Sequence, residues 1–133
     1  MSNYLFVYGI LRSGIKSSIS DEIKALGTKY QNAKIYGYKL SIDINKRPIV
    51  YPSSNQMDFV VGELIECENF QKLLEIVGKF SGYSYKRIEV SITTEKIGIV
   101  SGFVYIPKNI EECFTCNYHD YLEYFNEKII KMN

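Results

Sequence analysis

Short apolar runs alternate along the chain with stretches of helical periodicity, and their order sets the expected elements. The opening run YLFVY, residues 4–8, is continuously apolar and stops at Gly9, which predicts a short strand buried on both faces. Residues 17–26 lean towards helix, with Ser20 as candidate N-cap, Asp21 and Glu22 in a first turn where the dipole favours acids, and Gly27 as the stop. Residues 29–44 are β in character. Their second half alternates Tyr38, Leu40, Ile42 and Ile44 with Lys39, Ser41 and Asp43, the pattern of a half-buried strand. Pro48 and Pro52 bracket Ile49-Val50-Tyr51, and because proline withholds a ladder donor this segment is expected at an edge.

The run DFVVGELIE, residues 58–66, reads as a strand with Gly62 at a bulge or a close backbone approach. Phe70, Leu73, Leu74, Val77 and Phe80 recur at i, i+3, i+4, i+7 and i+10, so residues 68–80 form an amphipathic helix that Ser81-Gly82 closes. In residues 85–93, Lys86, Ile88, Val90 and Ile92 alternate with Tyr85, Arg87, Glu89 and Ser91, which gives one apolar and one polar face. Residues 99–106 make the last strong strand, stopped by Pro107. Tyr118, Tyr121, Leu122, Phe125, Ile129 and Met132 then carry helical spacing, a closing helix. With no repeat, linker or low-complexity stretch, the expectation is one α+β domain over residues 1–133, its largely antiparallel or mixed sheet able to curl into a barrel.

Charge and cysteine content narrow the functions. Sixteen basic and fifteen acidic residues leave a net charge of +1, without the electrostatic footprint that nucleic acid or an anionic membrane selects. A small-molecule partner and a soluble, cytoplasmic protein are expected; oligomeric state is not legible. Three cysteines, an odd number, argue against a secreted disulfide framework. Cys113 and Cys116 form a C-x-x-C with His119 three residues on, and Cys67 lies far upstream. A lone C-x-x-C is a weak metal signal, and Asn117 stands where a c-type haem motif needs histidine, so the expectation is reduced cysteines and no metal.

The segment Gly9-Ile10-Leu11-Arg12 has two readings. Either glycine permits a tight strand exit, or successive backbone N–H groups form a cradle that holds an anion without a charged side chain.

Five motifs in order bear on that choice. Tyr8-Gly9-x-Leu11-Arg12, Tyr36-Gly37-Tyr38-x-Leu40, Val60-Val61-Gly62-Glu63-Leu64, Tyr85-x-Arg87-x-x-Val90 and Phe103-Val104-Tyr105 together resemble the γ-glutamylcyclotransferase-like superfamily, from residue 4 to about residue 106. The resemblance implies a small mixed, largely antiparallel β-barrel flanked by helices, a pocket at its mouth and no cofactor. It implies that the loop Tyr8, Gly9, Ile10, Leu11, Arg12 wraps a substrate carboxylate, with Tyr85, Arg87 and Tyr105 beside it. The reaction it implies is attack by the free α-amine of a γ-glutamyl group on its own γ-carbonyl, which closes 5-oxoproline and releases an amine or amino acid. Positioning supplies much of such a rate, but a carboxylate of raised pKa must still carry the proton.

At that carboxylate the chain departs from the pattern. The family's glutamate falls on Ser81, within Val77-Gly78-Lys79-Phe80-Ser81-Gly82-Tyr83, and Gly78 replaces its aspartate. Ile10 replaces a loop hydroxyl. Glu63 is a candidate substitute acid, and Glu89 shares a face with Tyr85 and Arg87; each also reads as an ordinary strand residue. Arg87 is expected to pair with Glu89 or with a ligand. Three readings stay open: a cyclotransferase with a displaced acid, a pseudoenzyme that binds a γ-glutamyl or other small carboxylate compound, and an interaction protein on the same scaffold.

Overall fold

In the computed structural model, which describes residues 3–43, 46–109, 113–115 and 119–129, the opening apolar run forms β1 (Leu5–Val7), buried throughout. It is followed by α1 (Ser18–Lys24), β2 (Lys29–Tyr36), β3 (Tyr38–Asp43), β4 (Pro48–Pro52), β5 (Phe59–Glu66) and α2 (Phe70–Ser81). The chain continues through β6 (Tyr85–Thr94), β7 (Gly98–Pro107), β8 (Cys113–Thr115) and α3 (Tyr121–Tyr124), which runs into a π-helical turn at Phe125–Ile129. Strands β1-β5-β2-β6-β7 close a barrel. All of its pairings are antiparallel except β1 on β7, where Leu5 lies opposite Phe103. This is the α+β, mixed and largely antiparallel barrel with flanking helices that the sequence implies.

Strand parity sorts the core into two layers. Phe6, Ile35, Val60, Leu64, Ile92 and Val104 fill the barrel. Leu5, Val7 and Ile65 point outwards and pack under Ile19 and Ile23 of α1 and Leu73 and Val77 of α2. Gly62 marks a close approach, since a Cβ there would lie 2.3 Å from the Val7 carbonyl oxygen and 2.5 Å from the Phe6 ring. It is not a bulge: the β2–β5 ladder runs unbroken from Lys29 opposite Glu66 to Tyr36 opposite Phe59.

Elsewhere the expected elements shift. Residues 29–44 are two strands in two sheets, because Gly37, at φ +83°, turns the chain out of the barrel between β2 and β3. β3 is the centre of a second sheet, β4-β3-β8, with β4 at the edge as its prolines require. Ser41 is accordingly buried and pairs its hydroxyl with that of Tyr51, 3.2 Å away, where alternation alone gave it an open face. The cap of α1 is Ser17, whose hydroxyl accepts from the Ser20 N–H (3.1 Å); Ser20 itself is buried in the first turn. Asn69 caps α2 by accepting from the Lys72 N–H. Ile44, Cys116, Asn117, Tyr118 and Met132 lie outside the described residues. No helix among the described residues is long and apolar enough to cross a membrane.

Candidate functional site

Where β1 leaves the barrel, the loop at Gly9, Ile10 and Leu11 forms one wall of a pocket of about 340 Å³. The C-terminal end of α2 supplies Val77, Phe80 and Ser81, the start of β6 supplies Tyr85, β7 supplies Tyr105, and the β3–β4 hairpin supplies Arg47 and Pro48. Pro48 explains Gly9: a Cβ at residue 9 would sit 2.6 Å from the proline Cγ, so hairpin and loop meet only across a glycine. Phe80, which helical spacing assigns to the buried stripe, is 46% exposed at the pocket wall.

The polar groups of this pocket divide into those already engaged and those left open. The Tyr8 hydroxyl donates to the Tyr105 carbonyl (2.8 Å), and the Tyr105 hydroxyl donates to the Leu74 carbonyl (3.4 Å). Burial first, and then the neighbouring Tyr85, push the Tyr8 phenol well above its ordinary pKa. The Tyr85 phenol is raised by burial, an effect opposed by Arg47 and reinforced by Asp43. Both rings are therefore neutral donors at neutral pH. Arg47 gives its backbone N–H and Nε–H to the two carboxylate oxygens of Asp43, each at 2.9 Å, which staples the hairpin and holds the guanidinium at the pocket. The Arg12 N–H closes the loop on the Gly9 carbonyl (3.0 Å), whereas the amides of Gly9, Ile10 and Leu11 find no acceptor among the described residues. No carboxylate lines this pocket among those residues.

Of the residues singled out in the sequence, Tyr8, Gly9, Ile10, Leu11, Ser81, Tyr85 and Tyr105 converge here. Three others lie elsewhere. Glu63 points outward from β5, buried, with its carboxylate accepting from the Ser13 N–H and hydroxyl, both at 2.6 Å, and with Arg12 Nε at 3.5 Å. It therefore does not reach the pocket as a substitute acid. The Arg12 side chain is buried between Glu63 and Asp120, which leaves only its backbone next to the loop at Gly9, Ile10 and Leu11. Arg87 is exposed, with its guanidinium 5.1 Å from the centre of the Phe103 ring, and Glu89 accepts from the Ser101 hydroxyl (2.8 Å) instead. Sequence reasoning missed Arg47 and Pro48, because the hairpin that carries them reaches the loop only through the second sheet.

The other candidates have structural partners. His119 stacks on Phe59, with centroids 4.2 Å apart, and places Nδ1 3.0 Å from the Phe59 carbonyl oxygen. Its own carbonyl accepts from the Val61 N–H (2.7 Å), so this residue clasps the chain end to β5. Cys67 is half-buried, and burial raises its thiol pKa. Among the described residues no cluster of metal-ligating side chains occurs; Cys116 is outside them.

Comparison with known proteins bears on this arrangement. The family profile of gamma-glutamyl cyclotransferase, AIG2-like proteins matches residues 5–123. The chain belongs to that family. The match passes the last motif at Tyr105 and takes in Asp120 and Tyr121. A solution structure from Arabidopsis thaliana superposes with a TM-score of 0.64 at 19% identity, covering 98% of this chain and 87% of that one. An AIG2-like protein from Mus musculus gives 0.63 at 19% identity, with coverage of 82% and 79%. An uncharacterized protein from Pyrococcus horikoshii gives 0.62 at 22% identity, with coverage of 96% and 99%. No curated protein matches by sequence. At these identities the structures speak for the fold, while the chemistry rests on the residues of this pocket.

Proposed function

We propose that this family member binds a small carboxylate compound in the pocket beside Gly9, and that its cyclisation of γ-glutamyl amines or amino acids is weak or absent. The observation that carries the reading is a wall without a carboxylate among the described residues, with Ser81 at the end of α2. Cyclisation requires a base for the ammonium of the attacking amine and an acid for the departing nitrogen, and a serine hydroxyl without an activating base is neither. The amides of Gly9, Ile10 and Leu11, without an acceptor among the described residues, and the cation of Arg47 suit the carboxylate that such a ligand carries. A reducing, cytoplasmic setting fits an odd number of cysteines.

Residue 81 is the last of α2, where the helix carries partial negative charge. A glutamate there, beside an apolar pocket, has its pKa raised by both the dipole and desolvation, which is what proton shuttling at neutral pH needs. Ser81→Glu is therefore the informative variant. Release of 5-oxoproline from γ-glutamyl-L-alanine is expected to rise by roughly a hundred- to ten-thousand-fold in the variant if the acid alone is missing. Vigorous release by the unaltered chain sinks the proposal.

A further inference from the structure

Resting on the reading of this pocket as a small-carboxylate site, we infer that its ligand is a monocarboxylate with an apolar body whose nitrogen is acylated or absent, not a free amino acid. The inference follows from an imbalance between donors and acceptors. Open donors are the amides of Gly9, Ile10 and Leu11, the terminal guanidinium nitrogens of Arg47, and the hydroxyls of Ser81 and Tyr85, none of which has a described partner. Formal negative charge is missing from the wall among the described residues. The nearby Asp43 carboxylate already receives two hydrogen bonds from Arg47.

An ammonium carried into this pocket loses its water and, among the described residues of the wall, meets hydroxyl oxygens and the partial negative charge of the α2 terminus. That compensates a full charge poorly, and desolvating an unpaired charge costs several kcal/mol. An amide nitrogen has at most one or two N–H groups and no charge, so a single hydroxyl or helix-end carbonyl satisfies it. Phe6, Val77, Phe80 and the Tyr8, Tyr85 and Tyr105 rings line the rest of the pocket, whose whole volume of about 340 Å³ admits an aryl or branched side chain.

The test is calorimetric titration of the full chain with three phenylalanine probes (N-acetyl-L-phenylalanine, L-phenylalanine and N-acetyl-L-phenylalaninamide) and, as a fourth compound, γ-glutamyl-L-alanine. N-acetyl-L-phenylalanine is expected to bind at least roughly ten-fold more tightly than either of the other phenylalanine probes, the amino acid being penalised for its ammonium and the amide for its missing carboxylate. Arg47→Gln, which removes the cation and keeps the backbone N–H bond to Asp43, lowers that affinity by roughly five- to ten-fold, with the melting temperature measured alongside. Ser81→Glu narrows or reverses the preference over L-phenylalanine. Equal or tighter binding of L-phenylalanine overturns the inference while leaving a carboxylate site standing, provided the amide is rejected. Binding of γ-glutamyl-L-alanine without binding of N-acetyl-L-phenylalanine also overturns it and leaves the proposed function intact. If none of the four compounds binds, or acid and amide bind alike, both readings fall.

Discussion

Glu63→Gln probes the buried charges behind the Gly9 loop, and the structure sets the size of the effect. Glu63 and Arg12 expose only 8% and 5% of their side chains, so water compensates little of what either loses. Glutamine keeps one oxygen for the Ser13 N–H and turns an amide towards the Ser13 hydroxyl, which can rotate to accept. What cannot be recovered is the charge. Among the described residues Arg12 Nε makes no hydrogen bond, only a 3.5 Å ion contact with Glu63, and without that charge the guanidinium keeps Asp120 as its counter-charge there.

Removing one partner of a buried pair costs about 3–5 kcal/mol; since glutamine retains hydrogen bonds, about 2–4 kcal/mol is expected. For a chain of this length that corresponds to a fall in Tm of roughly 6–20 °C, read by scanning calorimetry with urea unfolding as the second measure. Arg12→Leu/Glu63→Leu should then cost at least about 1.5 kcal/mol less than the sum of its single changes, because neither charge is stranded by the other's loss. A Glu63→Gln melting temperature within about 1 °C of the parent, or strict additivity in the cycle, would show that the ion pair contributes nothing and that the loop is held by packing alone.

Further expectations concern the same end of the barrel. Gly9→Ala drives a methyl group to 2.6 Å from Pro48 Cγ, so hairpin and loop must part; a loss of about 1–3 kcal/mol and weaker binding in the pocket are expected, seen by urea unfolding and titration. The Tyr121 phenol, buried and close to Tyr124 and Asp43, is pushed up to about 12 from an unfolded value of 10.0. Between those values the folded chain holds the proton that the unfolded chain has released, so stability is full below pH 10 and is lost as pH rises towards 12, by up to about 2–3 kcal/mol from this group. Tyr121→Phe should flatten that part of the alkaline profile, and an unchanged profile would mean that the phenol ionises without cost.

Period-two alternation made β6 legible, because Val90 and Ile92 are buried while Arg87, Glu89 and Ser91 are exposed, whereas β1 lies between the barrel interior and the helices and reads as a continuous apolar run. Parity even carried information that motif reading overlooked: Glu63 shares a face with Ile65, the outward one, and not with Leu64 inside the barrel. The split of residues 29–44 was hidden because Tyr36-Gly37-Tyr38 has strand formers on both sides of the glycine, and only its φ of +83° reveals the corner. Ser20 was the expected cap of α1, but its side chain is buried in the first turn and its N–H donates to the Ser17 hydroxyl, which takes the capping place. The pocket was legible in its loop and tyrosines but not in Arg47, whose place depends on a hairpin from another sheet closing over Gly9.

That division separates what maintains the fold from what sets the chemistry. Gly9 and Gly62 are held by contacts that any Cβ would break, and the Tyr8 hydroxyl satisfies a buried carbonyl, so these positions are constrained whether or not the pocket turns anything over. Residue 81 is different: it ends a helix, is half-buried, and makes no hydrogen bond to a described partner through its side chain. A glutamate there works against the α2 dipole by about 0.3–1 kcal/mol before any desolvation is counted. Serine removes that cost and leaves the barrel untouched. Under the proposed function the scaffold persists without an acid at residue 81, because only catalysis, not folding, would require one there.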